Sequence, residues 1–185
     1  VTTRLVHVLR AIDRPVFRVV DGGEVDPVSA SQTLKRRPVP LLEAEFYAML
    51  EAREAGAGER LRKFVERLLP LGVRADVVRT LTLRGEISDQ ASLSLCSIST
   101  AGEVQIYPAT PSVLALPGGP EAVQFYLDGI ARLAGGEIAP GGTANGALTN
   151  QRILKDGRYP RVADLLDHAN GWLEVIRACL DRLRG

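Results

Sequence analysis

Residues able to do chemistry are few in this chain. It has two histidines, His7 and His168, and two cysteines, Cys96 and Cys179. Asp164 and His168 stand four apart on one predicted helix. That spacing puts both on one face, where they could ligate a metal or serve a hydrolase as acid and base. No His-Glu-x-x-His accompanies them, so a solvated helix face is the simpler reading and no metal is expected. His7, in a predicted strand, reads as a half-buried side chain with a hydrogen-bond partner.

Cys96 falls in an apolar strand pattern and Cys179 on a helix, with no Cys-x-x-Cys between them. Both read as small buried hydrophobes, and their use fits a reducing cytoplasm. Asp21, Glu24 and Asp26 cluster in "DGGEVDP". They could hold a hard cation or act as an acid–base pair. The glycines and proline make a plain surface turn the expected role. A metal-dependent nuclease would pair such acids with Glu-x-Lys on a strand, and the chain has no Glu-x-Lys.

The stretch from Ala139 to Pro160, "APGGTANGALTNQRILKDGRYP", carries Gly141 and Gly146 at the spacing of a phosphate-cradling loop. Such a loop needs Lys and Ser or Thr directly after the second glycine, and here Ala147 and Leu148 stand there. A helix is expected to feed it rather than a strand. It reads as a mobile or ligand-ordered connector. There is no Gly-x-Ser-x-Gly elbow, and no cofactor is implied.

Basic residues are lopsided: 20 Arg against 3 Lys. Arginine suits bidentate contact with phosphate or carboxylate, but GC-rich, bacterial-type coding also produces such a bias. Two groups stand out. Lys35, Arg36 and Arg37 sit together on a connector, and Arg60, Lys63 and Arg67 share one helix face. Arg36, Arg37, Arg60, Lys63 and Arg67 are therefore the candidate binding residues, as phosphate contacts. Against this, Glu59 and Glu66 interleave, aromatics are 5% of the chain and net charge is +1.

The elements that must position these residues follow from periodicity. "RLVHVLR" and "VFRVV" predict an N-terminal hairpin. Leu41 to Arg53 predicts a helix buried on Leu42, Phe46, Met49 and Leu50. Glu59 to Leu69 predicts a second, buried on Leu61, Phe64, Val65, Leu68 and Leu69. "DVVRTLTLR", "ASLSLCSIS" and "EVQIY" predict a three-stranded meander. Pro120 opens a helix with a stripe of Val123, Tyr126, Leu127, Ile130 and Leu133, stopped by Gly135 and Gly136. "RVADLLDHANGWLEVIRACLDRLRG" predicts one long helix. Its heptad seam is Val162, Leu166, Ala169, Leu173, Ile176, Leu180 and Leu183. Leu165 and Trp172 broaden that seam, which favours packing within the chain over a homodimer.

The fold class is thus α+β: an antiparallel sheet, from the N-terminal hairpin plus the three-stranded meander, covered by about four helices with the C-terminal one longest. With 185 residues the chain is expected to be a single domain. It divides at most into lobes 1–109 and 118–185, the latter holding the loop at 139–160. The chain starts with Val1, as a domain excised from a longer polypeptide would. No transmembrane or signal pattern is seen, so a cytoplasmic location is expected. The functional expectation is a soluble binding or regulatory module without a recognisable catalytic motif. A protein partner or parent-chain domains are the expected contacts. The alternatives are a nucleic-acid-associated domain using the arginine-rich surface, and a hydrolase assembled in space from residues such as His168, Asp164, Asp21 or Glu24.

Overall fold

The computed structural model describes residues 41–89, 91–140 and 151–185. Within them the chain is α+β, with a four-stranded antiparallel sheet and a separate two-stranded one. The predicted N-terminal hairpin and the connector with Lys35, Arg36 and Arg37 lie outside the described residues.

Helix α1 (Glu43–Arg53) buries Phe46, Tyr47 and Leu50. The stripe is rotated from the predicted one: Leu42 is 68% exposed and Met49 44%. Leu42 is the N-cap, just ahead of the first turn, so it does not share the packed face. Its N–H donates to Glu45 Oε2 at 3.0 Å, which satisfies one of the free donors of the helix start. Tyr47 takes the place expected of Met49, edge-on to Phe46 at 5.7 Å with the Arg62 guanidinium 4.9 Å from its ring centre.

Helix α2 (Ala57–Leu68) begins inside the glycine-rich breaker because α1 caps it. Glu51 accepts the N–H groups of Gly56 at 2.6 Å and Gly58 at 2.9 Å. Those contacts, the Gly56 one foremost, hold the Glu51 carboxyl below its ordinary range. Leu61, Phe64, Val65 and Leu68 are buried as predicted. Leu69 instead enters a short 3₁₀ turn, Leu69–Leu71, and is 57% exposed.

The meander has four strands: β1 (Val73–Val77), β2 (Leu81–Ser88), β3 (Ala91–Ile98) and β4 (Val104–Gln105), in that spatial order. The run expected to be one first strand turns back on itself at Val78–Thr80, so that Val77 faces Leu81. Leu81, Leu83, Leu93, Leu95 and Ile98 are buried. A register shift at Leu83/Arg84 inserts one extra residue in β3, and Leu95 and Cys96 both end up in the core. The other face is polar and paired: Arg74 with Glu86 at 2.7 Å, Arg84 with Asp76 at 3.1 Å.

After a one-turn helix α3 (Pro111–Leu114), α4 (Gly119–Ala134) runs 16 residues and ends at Gly135, whose φ of 63° suits only glycine well. The chain then forms β5 (Glu137–Ala139) and β6 (Arg152–Leu154), paired antiparallel. A strand, not a helix, therefore leads into the glycine loop, of which 141–150 lie outside the described residues. Helix α5 (Val162–Leu166) and α6 (Ala169–Arg184) replace the single long helix expected. The break falls at Asp167–His168, where neither Gly nor Pro marks it. It lies beside contacts with α2: Trp172 stacks on Phe64 of that helix with ring centres 4.3 Å apart. The 16 residues of α6 match those of α4, so the C-terminal helix shares the greatest length.

Helix α6 sinks into the molecule at three glycines. A Cβ on Gly85 of β2 would lie 2.6 Å from Leu180 Cδ2, one on Gly129 of α4 2.7 Å from Val175 Cγ1, and one on Gly171 of α6 2.9 Å from Leu133 Cδ2. The last two are reciprocal, each helix giving a hole and a knob to its antiparallel neighbour. The seam residues Leu173, Ile176, Leu180 and Leu183 are thereby buried within the chain. Arg184 ties down the far end of α6, donating to the carbonyls of Leu71 and Glu86.

Gly85→Ala should lower unfolding stability by ~1–3 kcal/mol through overpacking against Leu180, read as a lower urea midpoint at unchanged slope. Loss of no more than a few tenths would show that β2 and α6 are not in such contact.

Candidate anion-binding surface

The cations singled out in the sequence divide. Arg60 pairs with Asp167 at 2.6 Å, Arg67 donates to Asn170 Oδ1 at 2.7 Å, and Lys63 pairs with Glu59 at 3.2 Å. The α2 face is thus turned to the α5–α6 break, and all three pairs are solvent-exposed, where such contacts contribute about 0–1 kcal/mol. Arg36 and Arg37 lie outside the described residues, as do His7, Asp21, Glu24 and Asp26.

Asp164 and His168 fall on either side of the helix break and line different clefts. Asp164 Oδ1 accepts from Lys155 Nζ at 2.8 Å and Oδ2 from the Arg161 N–H at 3.0 Å. Burial pushes the Asp164 carboxyl up, but these two hydrogen bonds and the charges of Lys155 and Arg161 together outweigh it and hold it below its ordinary value. Its work is to start α5 and anchor Lys155. Among the described residues no group of three or more His, Cys, Asp or Glu is placed to hold a metal ion. Both thiols are free and buried, and burial pushes each up to about 12. Cys179 points its S–H at the Ala122 carbonyl, 3.5 Å away.

A different set of residues converges where the sequence suggested a mobile or ligand-ordered connector. After β6, Asp156 and Gly157 have φ of 52° and 71°, as the two central residues of a type I′ turn require. Lys155 and Arg158 exchange both backbone hydrogen bonds, at 2.8 and 3.1 Å. Beyond this turn, Pro160 to Val162 runs along the sheet edge: the Val104 N–H donates to the Pro160 carbonyl and the Val162 N–H to the Gly102 carbonyl. That pairing carries Tyr159 to Tyr107, two residues past β4, where their hydroxyls meet at 2.6 Å.

The resulting cleft, about 510 Å³, is lined by Lys155, Asp156, Arg158, Tyr159, Pro160, Arg161 and Asp164. Lys155 is committed to Asp164 at 2.8 Å, and Arg161 reaches Glu54 at 3.6 Å. Arg158 and Arg152, both exposed, have no ion-pair partner among the described residues. Arg152 is close enough to Tyr107 to act on its phenol. Asp156, at the tip, is the carboxylate that opposes them.

The phenol pair has a chemical consequence. Burial first, then the contact with Tyr159, pushes Tyr107 up to about 12 against the pull of Arg152. It is neutral at ordinary pH. Two phenols carry two O–H protons, and the bond between them uses one. Either phenol can donate to the other, so one of the two hydroxyls keeps a proton free. A donor O–H next to unpaired guanidinium is the equipment for receiving an anionic oxygen.

No protein-family model, curated protein or solved structure matches the chain. Among the described residues no helix is long and apolar enough to cross a membrane.

The buried thiols make stability depend on pH. In the folded chain their ionisation lies near 12, whereas unfolded cysteine ionises near ~8.5. A raised folded value means the stabilisation is complete below ~8.5 and is lost as pH climbs toward 12. Each thiol should cost about 2 kcal/mol of stability by pH ~10. Urea midpoints at pH ~8 and ~10 should differ accordingly, and Cys96→Ala with Cys179→Ala should flatten the dependence. An unchanged slope in that double variant would show that the thiols ionise freely in the native chain.

Proposed function

We propose that the chain is a binding module whose recognition surface is formed by Tyr107, Tyr159, Arg152 and Arg158, and that it takes an anion. The observation that carries this is the phenol pair with one proton left to donate, beside guanidinium groups that have no acidic partner among the described residues. The surrounding charges fit such a role: Lys155 and Arg161 hold the turn and the start of α5 in place through Asp164 and Glu54. The surface is therefore pre-organised, which lowers the ordering cost of binding.

The α2 surface is the rival. Arg60, Lys63 and Arg67 remain exposed in weak pairs that an anion could displace. Arg36 and Arg37 could extend it.

Calorimetry with inorganic polyphosphate separates the two. Arg152→Glu with Arg158→Glu should weaken binding at least ~10-fold, the loss of a charge-assisted contact being worth about 1.5–3 kcal/mol. Arg60→Glu with Arg67→Glu should change it little. The reverse pattern would move recognition to α2, and no binding by the parent chain would sink the proposal.

A further inference from the structure

Resting on that reading, we infer that the anion is the backbone of single-stranded nucleic acid, with a base stacked on the Tyr107 ring and phosphates on Arg152 and Arg158. Among the described residues five large apolar side chains are exposed, and Tyr107, at 38%, is the aromatic one. Its hydroxyl is fixed by Tyr159 at 2.6 Å, so the ring is held in one orientation. A fixed, solvent-exposed aromatic ring beside cations is what base stacking uses, because every base has a π-face and little ordering cost remains.

The neighbouring groups match the rest of a nucleotide. Arg152 acts on Tyr107 from β6, and Arg158 projects from the adjoining turn. Both are arginines, suited to bidentate contact with phosphate oxygens. The uncommitted proton of the phenol pair adds a donor for a phosphate or sugar oxygen. A small carboxylate or free phosphate would engage the arginines but leave the ring unused. A duplex keeps its base faces stacked internally and would also leave it unused. Single strands present both backbone and open base faces.

The cation count sets the strength. Two phosphate contacts on a single strand correspond to a log–log salt slope of about −1.4. Asp156 in the lining keeps the site from being a strong general polyanion trap.

The test is fluorescence anisotropy of the full chain with labelled oligothymidylate of about 12 nucleotides, across ~50–200 mM salt. Arg152→Gln with Arg158→Gln should reduce the salt slope by about 1.4 relative to the parent chain, whatever other cations contribute. Tyr107→Ala should weaken binding about 5- to 150-fold. Tyr107→Phe, which keeps the ring, should bind at least ~5-fold tighter than Tyr107→Ala. Emission of Trp172, the single tryptophan, buried against Phe64, reports whether each variant keeps its core. Equal affinity of the Phe and Ala variants, or equally tight binding of polyphosphate or duplex, would overturn the nucleic-acid inference. If polyphosphate binding still depended on Arg152 and Arg158, the anion-binding reading would stand alone. Failure of every anion to bind would remove both.

Discussion

Helices α4 and α6 approach each other too closely for a side chain at either crossing point. Val175 fills the space a Cβ would need at Gly129, and Leu133 does the same at Gly171. Cys179 meets the Ala122 carbonyl further along, so the antiparallel contact extends over much of both helices. Close-packed interiors do not deform continuously. Two helices locked in this way have one register, and whatever chain connects them must begin and end at fixed points.

That connecting chain is the excursion from Gly135 to His168, and it carries Arg152, Arg158 and Tyr159 of the proposed surface. Its first residues are constrained too. Gly136 lies where a Cβ would fall 2.5 Å from the Leu154 carbonyl oxygen, so β5 and β6 meet directly after the α4 cap. Its last residues are held by Asp164, which receives both Lys155 and the Arg161 N–H. Between those anchors, Pro160 to Val162 hydrogen-bonds to the edge at Gly102–Val104. Tyr159 and Tyr107 are brought together by that edge pairing rather than by any local preference. The surface is thus a product of helix packing, one tight turn and one strand-like contact.

Much of the scaffold was legible from periodicity. The stripes of α2 and α4 match their buried residues except at the exposed Leu69 and the half-buried Leu133, Gly135 ends α4, and the heptad seam names the face of α6 that is covered. What escaped has local physical causes. Val78–Arg79–Thr80 makes a turn without Gly or Pro, so β1 and β2 read as one strand. The α5–α6 break has no breaker residue: His168 leaves helical geometry beside contacts with α2, Arg60 on Asp167 and Phe64 on Trp172, that no local pattern announces. In α1 the apolar spacing admits two stripes, and contact with Arg62 and Phe46 selects Tyr47 over Met49. Asp156–Gly157 is a strong hairpin signal, but β6 offers only Arg152–Leu154 before it, too short to show alternation. The phenol pair joins residues 52 apart and Arg60–Asp167 residues 107 apart. Separations of that order leave no trace in a single sequence.

The interlock of α4 with α6 underlies both the fold and the placement of the surface, and a double-mutant cycle measures it directly. Gly129→Ala, Val175→Ala and the double variant would be compared by urea unfolding. Val175→Ala opens the space that the added methyl needs, so the cost of Gly129→Ala should fall by ~1 kcal/mol or more in that background. Costs that add within ~0.3–0.5 kcal/mol would mean that the two residues do not meet, and the account of how the excursion is held would be wrong.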